Sequence, residues 1–231
     1  MIDYYILGFI LLPGLLLSIY ASIKVNTTFN SYDQIESERN IPANILARTI
    51  LDQAGLNNIT IRQVRGHLTD YYNHRKKVIG LSNSVYNSTS ISAIGVALHE
   101  VGHAIQYKTN YLPIKIRNFI IPICNFANRF LWIFIILGSI FYYTNLGIAF
   151  LWIGVGIFGF SVLLNLITLP IEFDASKRAL KLIKDAQILN DEELYGAKKV
   201  LSAAGLTYVA GLVVSILNLL RLLLVILDRK D

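Results

Sequence analysis

The sequence predicts a mainly α-helical integral membrane protein, with about four transmembrane helices and a water-facing α+β region on the cytoplasmic side. Three observations point there. Of 231 residues, 54% are hydrophobic and only 16% are charged, against roughly a quarter charged in an ordinary soluble domain; mean hydropathy is +0.52. Apolar stretches long enough to cross a bilayer alternate with polar segments. Lys and Arg crowd into two of those polar segments, eleven in 24–118 and six in 172–205, while 1–5 and the turn at 143–146 hold none. Positive charge collects on the cytoplasmic side of a membrane, so both polar segments are assigned there.

Residues 1–26 read as an N-terminal transmembrane anchor. Tyr4 to Ile23 carries no charge and is long enough to span, with Pro13-Gly14 able to kink it. The start carries Asp3 and no basic n-region, which argues for a retained anchor over a cleaved signal peptide.

Residues 27–118 read as the first water-facing region. Pro42 to Ala54 is an amphipathic helix with Ile45, Leu46, Ile50 and Leu51 on one side and Gly55 ending it. Ile59 to Val64 and Lys77 to Leu81, rich in β-branched residues, are strands. Gly66 to His74 between them is a further strand or a loop. Ser90 to Tyr107 is one helix with Ser90 as its N-cap.

Residues 119–170 form a transmembrane hairpin. Arg129 interrupts the run Phe119 to Tyr143, so the span starts near Asn125 and Arg129 snorkels toward the basic collar of Lys108, Lys115 and Arg117. The turn Tyr142 to Asn145 leads into Leu146 to Leu169, which Pro170 ends. Residues 171–205 return the chain to cytoplasmic helices, one capped by Asn190-Asp191 and ended by Gly205. Residues 206–231 hold a C-terminal span, Leu206 to Leu227, and a short charged tail.

The chemistry concentrates in the Ser90 helix, which carries H-E-V-G-H. His99 and His103 lie four apart, so both imidazoles leave one face a turn apart, as two ligands of one Zn²⁺ require. Glu100 sits beside that pair and is the candidate general base for a metal-activated water. The chain has one cysteine, Cys124, inside an apolar run, which excludes a disulfide framework and a thiolate zinc site. Further ligands must therefore be imidazole or carboxylate. Glu172 qualifies, because two crossings return the chain to the side that carries His99 and His103. His67 and His74, from the preceding polar segment, compete for that place. His67, Asp70, Tyr72, His74 and Ser176 are candidate oxyanion donors or partners of the ligands. The net charge of +6 does not imply nucleic acid, since the basic residues are scattered beside apolar segments; the lipid bilayer is the expected partner surface.

Four motifs carry a resemblance along nearly the whole chain: L-P-G-L-L-L at Leu12 to Leu17, G-H-L-T-D at Gly66 to Asp70, A-L-H-E-V-G-H-A-I-Q at Ala97 to Gln106, and L-P-I-E-F-D-A-S-K-R-A-L at Leu169 to Leu180. On these the sequence resembles the YugP-type bacterial membrane zinc metallopeptidases and, more distantly, the HtpX-type membrane zincins. The resemblance implies a zincin-like α+β catalytic region, Zn²⁺ as cofactor, and Glu172 as third ligand, since an E-x-x-A-D pattern supplies it in the distant relatives. Those relatives place an Asp four residues after that ligand, where this chain has Ser176. A carboxylate that would orient an imidazole is thus missing; Asp174 lies on the wrong side of a helix to replace it, and Asp70 is freer to do so.

Two functions of different class follow. One is a multi-pass cell-membrane zinc endopeptidase acting on a peptide or membrane-protein substrate. The other is a catalytically silent, metal-stabilised membrane scaffold, which would have no use for Glu100.

Overall fold

The computed structural model describes residues 8–228. In chain order the elements are α1 (Leu12–Asp33), α2 (Ala43–Gln53), β1 (Thr60–Val64), β2 (Tyr71–Asn73), β3 (Val78–Ser82), α3 (Ile91–Lys108), α4 (Leu112–Ile140), α5 (Asn145–Asp185) and α6 (Asp191–Leu227). They group into two compact units. One is built from Ser22–Ile114 and Ile171–Leu206, the other from the described parts of Met1–Ala21, Lys115–Pro170 and Thr207–Asp231.

The second of these units takes most of α4 and parts of α5 and α6, the three helices among the described residues that are long and apolar enough to cross a membrane. Its large apolar side chains face outward: Phe119, Phe126, Trp132 and Ile140 are each at least 65% exposed. Such a surface suits lipid and not water. Small residues bring its helices together. A Cβ on Gly14 of α1 would lie 2.9 Å from Leu217 of α6, and one on Gly138 would lie 2.6 Å from Leu151. The buried Cys124 thiol donates weakly to the Phe160 carbonyl at 3.5 Å and packs as a small hydrophobe. The expected first span began at Tyr4, and Tyr4 to Leu7 lie outside the described residues. The described helix α1 runs on to Asp33, well past Ile23.

Two expected helix ends are overturned. Pro170 lies inside α5 and does not end it. Proline removes one N–H and costs about 3 kcal/mol in a helix interior. Beyond it, however, Ile171, Ala175, Ala179 and Ile183 form a stripe at four-residue spacing, each fully buried, and this packing carries the helix through to Asp185. Likewise α6 continues through Gly205. That glycine is a point of close approach, where a Cβ would stand 2.9 Å from the Phe173 ring. The start of α6 agrees with expectation: the Asn190 side chain accepts from Glu193 N at 2.9 Å, and the Glu193 carboxylate accepts from Asn190 N at 2.9 Å, a reciprocal capping box. The first membrane-length helix starts earlier than expected, at Leu112, and holds Lys115, Arg117, Pro122 and Arg129 within it.

The other unit has a three-stranded sheet in the order β1-β3-β2, with β1 parallel and β2 antiparallel to the central β3. Every residue of β3 is buried, as a strand covered on both faces requires. Gly80 of β3 has no room for a side chain, because the Tyr71 ring would lie 2.6 Å from its Cβ. Helix α2 buries Ala43, Leu46, Ala47, Ile50 and Leu51; Ile45, expected on that face, is 53% exposed instead. Gly55 follows α2 at φ +66°, the left-handed turn that glycine permits. One apolar core joins Phe29, α2, β3, α3 and the buried stripes of Ile171–Leu206, and α3 runs through its middle.

Candidate metal centre

Helix α3 is set by its first turn. Ser90 is extended, its hydroxyl accepts from Ala93 N at 3.2 Å, and it donates to the Asp33 carboxylate at 2.7 Å. Two glycines then let neighbouring helices approach α3. A Cβ on Gly95 would touch Ala197 at 3.5 Å, whereas one on Gly102 would stand 2.5 Å from the Ala175 carbonyl oxygen. Any side chain at Gly102 would push α3 and α5 apart. Because it has none, the helices cross at Ala175, and the neighbours of Ala175 on α5, Glu172 and Ser176, lie against His99 and His103.

The geometry at that crossing is specific. Glu172 Oε2 stands 3.3 Å from His99 Nε2 and 3.3 Å from His103 Nε2. The two imidazoles meet edge to face at 4.7 Å. Ligand atoms of all three residues lie within 4.8 Å of one another. Glu172 is 5% exposed, and its Oε2 is buried without a hydrogen-bond partner. An unsatisfied buried carboxylate oxygen is costly, and here it faces two ring nitrogens that can offer lone pairs. Zinc bonds of about 2.0–2.2 Å to nitrogen and oxygen put neighbouring tetrahedral ligands roughly 3.3–3.5 Å apart, and the two separations between Glu172 and the imidazoles fit that edge. A divalent cation would satisfy all three groups at once.

Each imidazole is held from behind. Ser176 Oγ lies 3.1 Å from His99 Nδ1, so a hydroxyl occupies the place where a carboxylate was found wanting. The Gln106 side-chain oxygen lies 3.0 Å from His103 Nδ1. Its nitrogen donates to the Ile171 carbonyl and to Asp174 Oδ2, both at 2.8 Å. Asp174 in turn accepts from Arg178 Nε at 2.6 Å, and Arg178 lies over the Tyr111 ring at 5.6 Å. Glu100 is 7% exposed and lies outside the three-residue cluster. Burial raises its carboxyl above the usual range, with the charges of His103 and His99 opposing.

The remaining candidates sit elsewhere. Asp70 accepts from Ser82 N at 2.7 Å and Ser82 Oγ at 2.9 Å, so it ties the approach to β2 to the end of β3 and does not orient an imidazole; burial outweighs those bonds and raises its carboxyl. His67 is exposed and packs edge-on against Phe29 at 5.2 Å. His74 stacks on Tyr107 at 4.0 Å, and Tyr72 meets the same ring at 5.7 Å. Burial pushes the Tyr72 phenol up to about 12. Neither His67 nor His74 joins the three-residue cluster. The segment Gly66 to His74 does supply a strand, β2, at one edge of the sheet. Gln106 went unassigned in the sequence; its signal is a polar residue three positions after His103 on an otherwise apolar helix.

Comparison with known proteins agrees with this picture. A family model described as "Putative neutral zinc metallopeptidase" matches residues 7–227. The chain is 41% identical over 225 residues to "Putative membrane protease YugP" of Bacillus subtilis (strain 168), covering 96% of this chain and 97% of that protein. No solved structure matches the chain significantly.

Proposed function

The chain belongs to the neutral zinc metallopeptidase family, and from that premise we propose that it is a multi-pass cell-membrane zinc endopeptidase. His99, His103 and Glu172 hold the ion, and Glu100 is the general base of a gluzincin-like H-E-x-x-H site. The observation that carries this reading is the buried Glu172 Oε2, which lacks a hydrogen-bond partner and stands 3.3 Å from both ring nitrogens. Zinc bound there supplies Lewis-acid polarisation of the scissile carbonyl and makes a water acidic. Glu100 accepts a proton from the attacking water and delivers it to the leaving amine nitrogen. Ser176 and Gln106 keep the imidazoles aimed. The free edge of β2 offers backbone groups on which an extended peptide can pair. The uncharged stretch from Tyr4 to Ile23 supports a fourth span, and the Lys and Arg excess of 24–118 and 172–205 supports a cytoplasmic site.

The deciding experiment pairs zinc analysis of detergent-purified protein with proteolysis of a membrane-protein substrate. About one zinc per chain and metal-dependent cleavage are expected. A chain that purifies folded, binds no zinc and cleaves nothing would end this reading.

A further inference from the structure

We propose that Gln106 and Asp174 are positioning residues, which together hold the His103 imidazole in the tautomer whose Nε2 lone pair faces Glu172 and the ion. The inference rests on the zinc-site reading above. A buried side-chain amide can in principle present either its oxygen or its nitrogen to a neighbour, and only the surrounding bonds decide. At Gln106, which is fully buried, they do decide. The Ile171 carbonyl and Asp174 Oδ2 both lie 2.8 Å from one end of the amide, and both accept. That end is therefore the nitrogen. The oxygen then faces His103 Nδ1 at 3.0 Å and can only accept, so Nδ1 carries the hydrogen and Nε2 is left bare for the metal.

Asp174 is two residues past Glu172, roughly 200° around the helix, so it cannot reach an imidazole that Glu172 faces. The amide bridges that gap. Arg178 donates to the same Asp174 oxygen at 2.6 Å and is itself laid over Tyr111. Zinc sites commonly place a carboxylate or carbonyl directly on the ligand's second nitrogen; here a carboxylate acts one group further out.

The test uses the full-length chain in detergent, with zinc affinity measured by competition against a chromophoric chelator. Long-range proton–nitrogen spectra of the zinc-loaded protein report which nitrogen of His103 bears the hydrogen. Asp174→Asn keeps an oxygen that accepts from both Gln106 and Arg178, and should stay within about threefold of wild type. Asp174→Leu leaves the amide held by the Ile171 carbonyl without its second acceptor and so loosens its orientation, and Gln106→Leu removes it; each should weaken zinc binding, the latter roughly 10–100-fold, and His103 should lose its uniform Nδ1–H pattern. Asp174 is 24% exposed, so its variants keep the test alive if Gln106→Leu fails to fold. Wild-type affinity and an unchanged His103 spectrum in Asp174→Leu would overturn the positioning role and leave the zinc reading standing. Equal losses in the Asn and Leu variants with the Nδ1–H pattern intact would reduce Asp174 to a structural ion pair. A wild-type chain without zinc affinity would overturn both.

Discussion

Single side chains separate the roles within the site. Glu100→Gln is nearly isosteric, so it should retain zinc and fold but lose proteolysis by orders of magnitude, because an amide cannot take up the water proton. Peptide cleavage and metal content measured on one preparation check this; undiminished cleavage would remove Glu100 as the base. Glu172→Ala should release zinc as fully as His99→Ala, whereas His67→Ala and His74→Ala should not, since those two rings are engaged with Phe29 and Tyr107. Zinc retained in Glu172→Ala but lost in His74→Ala would invert the assignment. The pairing of His99 and His103 was legible in the sequence because their relation is one of helical spacing. Glu172 was legible only through the count of crossings and the family resemblance. Gln106 was not, because what gives it a role is a pair of acceptors on another helix, Ile171 and Asp174. Asp174 was dismissed on a correct geometric ground, its direction on the helix, yet it reaches the site through an intermediary that no spacing rule reveals.

Among elements, the crossing of α3 and α5 decides whether a site exists. Gly102→Ala sets a methyl 2.5 Å from the backbone oxygen of Ala175, and backbone yields less readily than a side chain. Overpacking of that kind costs about 1–3 kcal/mol. Because it separates the very helices that carry the ligands, it should also lower zinc affinity, whereas Gly95→Ala, which meets Ala197 at an ordinary 3.5 Å, should leave it near wild type. Thermal unfolding and chelator competition on both variants check the pair. Equal behaviour of the two would show that the approach at Gly102 is not what seats Glu172. The elements themselves followed from sequence where the cue was local: the Ser90 cap, the Asn190 cap, and the β-branched runs that became β1 and β3. The cues that misled were also local. Pro170 and Gly205 are helix breakers by propensity, but the fully buried stripe from Ile171 to Ile183 and the Phe173 ring over Gly205 are tertiary facts.

For the whole molecule, orientation is the open quantity that charge counting addresses. In a Cys124→Ser background, Tyr143→Cys in the α4–α5 turn should react with an impermeant maleimide on intact cells, and Lys76→Cys should react only after permeabilisation. The reverse pattern would place the site outside. Metal removal gives a second measurement: a folded-state ligand at a hundred times its Kd adds about 2.7 kcal/mol of stability, so chelation should lower the melting temperature of wild type and leave that of His99→Ala unmoved. The mainly helical, membrane-length character was readable here because hydropathy acts by summation over long stretches.

The 3.3 Å approach of Glu172 to His103 joins two points about 70 residues apart in a chain whose single cysteine cannot cross-link it. An ion held at both ends closes that interval in the folded protein alone, so its stabilisation is the binding free energy, which grows with free zinc relative to Kd and is lost with the ion. Unlike a disulfide, such a clasp needs no oxidant to form and opens again when zinc is scarce. The enzyme's persistence, and not only its activity, would then follow the cell's supply of metal.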